Sequence, residues 1–204
     1  MPKLVDHEAK RREIVRAVLR ITKRGGLHTA TMREIATEAG QANGGIAHYF
    51  RNKEELLVAA FEHIFSETNR RAYAAIGEAE GLTAVRRLCL EIMPLDEQRI
   101  AEARIAVSFW GRAVHDTEMS ALQDADMRAW RAQLHSYLVT ARDNGEIRAD
   151  AELQPVVDEL LATTMGFQAN VLMNPEATTP ARQIAVLDAI LSRLRSGGLG
   201  AASG

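Results

Sequence analysis

Thr31-Met32-Arg33-Glu34-Ile35-Ala36, then Ala39-Gly40-Gln41-Ala42, then Asn43-Gly44-Gly45-Ile46-Ala47-His48-Tyr49-Phe50-Arg51-Asn52-Lys53-Glu54-Glu55-Leu56-Leu57 is the run whose reading decides the fold. Thr31 and Glu34 stand three apart, as in a capping box, where hydroxyl and carboxylate satisfy two orphan N–H groups of a helix start. Ile35, Ala36 and Ala39 form one face of that helix, and Gly40 stops it. A third short helix is expected over 42–50, with Ile46 and Phe50 on its inner face. Asn52 caps the next helix, with Glu55 as its box partner. Two short helices separated by Gly40-Gln41-Ala42 have the spacing of a helix-turn-helix.

The rest of the chain is also read as helix. Apolar residues recur at three- and four-residue spacing, and period-two alternation is rare. A first helix is expected over 7–24, capped by Asp6 and ended by Gly25-Gly26. Further helices are expected over 52–76, 82–93, 96–114, 117–144, 151–173 and 180–195, with Pro155 in a first turn, where its missing N–H costs little. The expected architecture is all-α: an N-terminal three-helix helix-turn-helix DNA-binding domain (1–52), a larger C-terminal helical ligand-binding and dimerisation domain (53–196), and a flexible Gly/Ala/Ser tail (197–204).

Charge divides the same way. Net charge is -2 over 204 residues, but residues 1–53 carry +6 and the remainder -8. A basic head on an acidic body suits a polyanionic partner. Apolar residues make up 47%, enough for a sizeable core, and no stretch approaches the ~18 apolar residues of a membrane span. Cys89 is the single cysteine, which excludes an internal disulfide and a Cys-based zinc site. With no signal-peptide pattern at Met1-Pro2-Lys3, a cytoplasmic location is expected.

The run from Gly26 to Leu57 resembles the TetR family of repressors. The likeness lies in the threonine-capped second helix, the glycine turn, the aromatic-ended third helix and the Phe50-x-Asn52-Lys53-x-x-Leu56 entry to helix four, and it covers about residues 7–57. It implies a DNA-reading role for Thr31, Arg33, Asn43, Gly44, Gly45, Ala47, His48, Tyr49 and Lys53. Asn43 and Arg33 are suited to base edges, as is His48; Thr31, Tyr49 and Lys53 are suited to phosphates. Gly44 and Gly45 would let the backbone approach closely. Gln41 and Ala42 depart from the family pattern, which leaves Asn43 as an alternative cap whose side chain would then be occupied locally.

The second domain is expected to dimerise. Ile184, Leu187, Leu191 and Leu194 form an apolar seam on the last helix. Leu160, Leu161, Met165 and Leu172 do so on the helix before it, and pairing with a second copy would make a four-helix bundle. Completion of a monomeric core is the alternative reading of the same pattern. Phe109, Trp110, Tyr137, Phe167, His115 and Gln168 are the candidate effector-pocket residues. Ser108-Phe109-Trp110-Gly111 and His48-Tyr49-Phe50 resemble the choline-responsive BetI branch of the family, whose ligand suits an aromatic cage.

These readings converge on a repressor released from double-stranded operator DNA by a small-molecule effector. A transcriptional activator of the same fold and a helical protein-binding adaptor remain open. No enzyme is expected, since there is no His-Glu-x-x-His, no P-loop and no Gly-x-Gly-x-x-Gly. Neither a metal nor a cofactor is expected.

Overall fold

Thr31 starts its helix as its spacing to Glu34 demands. Its hydroxyl accepts from the Glu34 N–H at 3.2 Å, while the Glu34 carboxylate accepts from the Thr31 N–H at 2.7 Å. The computed structural model describes residues 7–24, 31–42 and 44–196, and every regular element among them is helical. They are α1 (His7–Arg24), α2 (Met32–Glu38), a 3-10 turn (Gly45–His48), α3 (Lys53–Ile76), α4 (Gly81–Ile92), α5 (Glu97–Ala113), α6 (Thr117–Asp143), α7 (Leu153–Met173) and α8 (Pro180–Ser196). The Asp6 cap, the Gly25-Gly26 stop, Asn43 and the tail over 197–204 lie outside the described residues.

Local caps account for several further helix starts. Asn52 accepts from the Glu55 N–H at 2.8 Å, Asp96 from Arg99 at 2.9 Å, and Asp116 from Glu118 and Met119 at 2.9 and 3.0 Å. Each such cap is worth about 1 kcal/mol. The start of α4 has no cap of its own. Glu146, which follows α6, reaches back and accepts from the Leu82 N–H at 3.2 Å. Residue 81 must be glycine there: its φ is +56°, and a Cβ would fall 1.8 Å from the Glu146 carboxylate.

The third helix expected over 42–50 is instead a 3-10 turn confined to Gly45–His48. Gly44 takes φ +95° and offers no side-chain cap. Ala47 N–H reaches the Gly44 carbonyl at 3.1 Å, and Tyr49 N–H the Ile46 carbonyl at 2.8 Å. Two glycines at a helix start disfavour the longer α-helical run, so the tighter bonding prevails.

Two clusters of buried residues hold the helices together. The first joins Ile14, Val15, Ala17 and Val18 of α1 to Ile35, Ala36, Ile46 and Phe50. It draws also on α3 from Leu56 to Ile64 and on Ile105, Ala106 and Phe109 of α5. Phe61 and Phe109 stack within it, ring centroids 3.8 Å apart. The second cluster joins the far end of α3 to α4, α6, α7 and α8 around Leu82, Leu88, Leu134, Leu138 and Leu160. Cys89 lies fully inside it, where burial pushes its thiol up to about 12. At that value it is neither a nucleophile nor a metal ligand at neutral pH.

Phe109 is fully buried and touches both α3 and the head. Phe109→Ala is expected to lower unfolding stability by about 3–5 kcal/mol in urea titration. A loss below about 1 kcal/mol would mean that the stack contributes little to holding α5.

Candidate DNA-reading surface and effector cavity

One end of the head presents the residues expected to meet DNA. Thr31 and Arg33 are exposed at the start of α2, and Gly44, Ala47 and His48 are exposed around the 3-10 turn. Gly45, Tyr49 and Lys53 are half-buried beside them. Gly44 needs to be glycine for its backbone angle, whereas a Cβ on Gly45 would make only ordinary contacts with Gln41. Tyr49 packs its ring 4.7 Å from that of His7, so His48 is the outward member of the pair.

Arginines fix this end to α1. Arg11 stacks over the Phe50 ring at 4.2 Å, donates to the Tyr49 carbonyl and lies 3.6 Å from the Glu55 carboxylate. Arg20 and Arg24 both bond Glu38 at the end of α2. These bonds leave the turn little freedom relative to α1 and α3. Lys53 at the start of α3 and Glu34 in the first turn of α2 act on each other's charge. Burial, and then the charge of Arg112, hold the Lys53 ammonium below the usual lysine range, with Glu34 pulling the other way. A cation at a helix start is mildly unfavourable, and an anion beside it would reverse that.

The second site is a cavity between α3, α5 and α6. Phe61, Ile64, Phe65 and Thr68 wall one side; Glu102, Ala103, Ala106 and Trp110 another; Gln123, Met127 and Trp130 a third, with Ile92, Arg99 and Gln168 at its inner end. About 40 Å³ is open to the centres of water-sized molecules, against the roughly 10–15 Å³ that one water requires. Trp130 is held by its N–H to Asn69 at 2.7 Å and lies 4.9 Å from the Phe65 ring. Trp110 is held by its N–H to Gln123 at 2.9 Å.

An ionic cluster backs the aromatic walls. Arg71 bonds both oxygens of Glu102, at 3.0 and 2.8 Å, and also Glu91 at 3.2 Å. Arg99 pairs with Asp96 at 2.8 Å and Glu91 at 3.6 Å. Three carboxylates against two guanidinium groups leave the cluster one negative charge in excess.

Family models bear on both regions. The model for bacterial regulatory proteins of the TetR family matches residues 14–60, and that for the C-terminal part of BetI-type transcriptional repressors matches residues 81–196. This chain belongs to the TetR family. It is a DNA-binding transcriptional regulator of the repressor type. The PksA regulator of Bacillus subtilis is 27% identical over 176 residues, covering 86% of this chain and 84% of that one. A BetI regulator of Escherichia coli is 31% identical over 139 residues, covering 67% and 71%. The fold is shared with a transcriptional regulator from Saccharomonospora viridis solved in complex with choline, at TM-score 0.82 and 20% identity over 91% of this chain and 96% of that one. It is shared too with a Rhodococcus regulator, at TM-score 0.78 and 22% identity over 92% and 96%. No described helix of this TetR-family chain is long and apolar enough to cross a membrane.

Several residues singled out for the effector lie elsewhere. Trp110 and Gln168 line the cavity. Phe109, one residue away, is fully buried and stacks on Phe61 of the cavity wall without lining the cavity itself. Tyr137 and Phe167 pack against the second core, and His115 is exposed beyond the end of α5. Phe61, Phe65, Glu102, Gln123 and Trp130 also line the cavity and were not singled out from the sequence. Phe61, Phe65 and Thr68 recur at four- and three-residue spacing on α3, the signal that would have found that wall. Of the expected dimer seam, Leu160, Leu161, Leu187, Leu191 and Leu194 are buried within their own protomer, and Met165, Leu172 and Ile184 are half-buried. In this protomer α7 packs chiefly on α5 and α6, and α8 chiefly on α4.

Asp126 follows the cavity wall on α6. Burial, and then the charge of Glu62, push its carboxyl up to about 6. The unfolded value is about 3.9, so the folded chain holds this proton more tightly, and ionisation above pH ~6 opposes folding. Asp126→Asn should therefore raise Tm at pH 7.5, with the gain fading to nothing below about pH 4. A gain that is independent of pH would place its cause elsewhere.

Proposed function

We propose that this regulator is a cytoplasmic homodimeric repressor that leaves its operator when a compact organic cation enters the cavity. Regulation, not catalysis, is its role in this reading, and residues 1–52 and 53–196 are its DNA-binding and effector-binding units. Two heads would occupy successive major-groove faces about 34–36 Å apart. Arg33 and His48 read bases there; Thr31, Tyr49 and Lys53 hold phosphates, with the backbone of Gly44, Gly45 and Ala47 close by. Asn43 keeps its expected base-reading role in this scheme, although it lies outside the described residues.

The observation that carries the reading is the double membership of α5. Glu102, Ala103 and Trp110 face the cavity. Ile105 and Phe109 belong to the core of the head. Arg104 donates to the Thr22 carbonyl of α1 at 3.4 Å, and Arg112 bonds Glu54, beside Lys53. A ligand wider than the present void must part α5 from α6, and the head is tied to α5. The ligand then binds better to a form whose heads are wrongly spaced, and that difference in affinity is what releases DNA.

A cation is favoured by the four aromatic rings that wall the cavity. The choline held by the Saccharomonospora viridis regulator supports that class. Dimerisation would use the outer faces of α7 and α8, which carry the small residues Ala162, Gly166, Ala169, Ala185 and Ala189 and the exposed Met173 and Val186. Small side chains let helices approach closely, so a bundle can form there without the buried leucines.

Gel shifts against the DNA upstream of its own gene, at two salt concentrations and with choline added, test the whole reading. Lys53→Ala should weaken binding to all sequences and reduce the slope of log K against log salt by about one. An unchanged slope would remove the phosphate role. Val186→Arg should turn the sedimenting species into a monomer; a dimer that persists would move the interface elsewhere.

A further inference from the structure

Gln123 carries a buried donor that finds no partner among the described residues. Its Oε1 accepts from the Trp110 indole N–H at 2.9 Å. An indole nitrogen only donates, so the amide cannot be turned round: the oxygen must face Trp110 and the NH₂ group must face away from it. That nitrogen is buried and meets no acceptor among the described residues. It sits in the wall of the cavity, beside Trp110 and Met127.

The neighbouring polar groups do not share this condition. Both Glu102 oxygens accept from Arg71, and Oε1 accepts also from Gln98 at 3.1 Å. Thr68 accepts from Arg71 at 3.2 Å. Gln168 donates to the Ile92 carbonyl at 3.1 Å, and Arg99 to the Leu90 carbonyl at 2.7 Å. A buried amide donor costs stability until something accepts from it. The group that can do so is one that enters the cavity.

We infer that Gln123 is a specificity-determining residue that donates a hydrogen bond to an oxygen on the effector. This rests on the reading of the cavity as the effector site. It narrows the ligand class from any compact cation to one that carries an acceptor oxygen, such as a hydroxyl or carbonyl, a short chain away from the cationic centre. The aromatic walls take the cation; Gln123 reads the oxygen.

Two probes separate these contributions. Choline and n-propyltrimethylammonium have the same charge and nearly the same size, and differ by a methyl in place of the hydroxyl. Calorimetric titration of the full-length protein should give choline an advantage of about tenfold, the size of one net hydrogen bond. In Gln123→Leu that advantage should vanish, while n-propyltrimethylammonium keeps its affinity within about threefold. Equal binding of the two probes to the wild type would overturn the role of Gln123 and leave the cavity as a cation site. So would an advantage that survives in Gln123→Leu. Binding of neither probe would overturn the cation-site reading, and the Gln123 role with it. Where Gln123→Leu fails to fold, Gln123→Met, which also lacks the donor, replaces it with the same outcomes expected.

Discussion

Phe61 and Phe109 stack face to face at 3.8 Å, and that contact makes α5 part of two structures. On one side its apolar residues complete the core of the DNA-reading head. On the other, Glu102, Ala103 and Trp110 wall the cavity. Interiors packed to crystal density do not absorb a change in volume by yielding everywhere a little. In the proposed release mechanism, a helix wedged between a head and a cavity passes displacement from one to the other. A helix packed on the body alone would leave the cavity without a mechanical link to DNA.

Much of this was legible in residue order because the signals are local. Thr31 with Glu34, and Asn52 with Glu55, announce their helix starts within three residues. Ile46 and Phe50 mark the inner side of the turn, and both are buried. The 3-10 form of that turn was not legible, because it follows from the positive φ of Gly44 and not from any apolar period. The cavity was hidden for a different reason. Helical spacing separates inner from outer faces, but it does not say which inner residues meet a neighbour and which meet a void. Phe109 and Trp110 are adjacent, yet one is enclosed and the other lines the cavity. The leucines of α7 and α8 teach the same lesson about interfaces, since burial against one's own chain and burial against a second copy have the same period.

The ionic cluster behind the cavity adds specificity at a cost. Arg71 and Glu102 are taken largely out of water, and a buried pair of that kind gives little net stability over apolar residues of similar size. Its geometry nonetheless ties three helices: Arg71 on α3, Glu91 on α4 and Glu102 on α5. Removing any one partner strands the others in a poorly solvated place. The cluster thus sets the relative positions of the aromatic walls more sharply than hydrophobic packing alone would.

The cap that Glu146 lends to Leu82 bears on how the chain acquires its shape. The start of α4 emerges from the ribosome 64 residues before the group that completes it. Until α6 has been made and has docked, that first turn exposes unpaired amides and frays. Closing so long a loop carries an entropic cost that only later contacts repay. The body of the protein is therefore expected to consolidate after synthesis has passed α6, while the head, built mainly from neighbouring segments, gains order earlier.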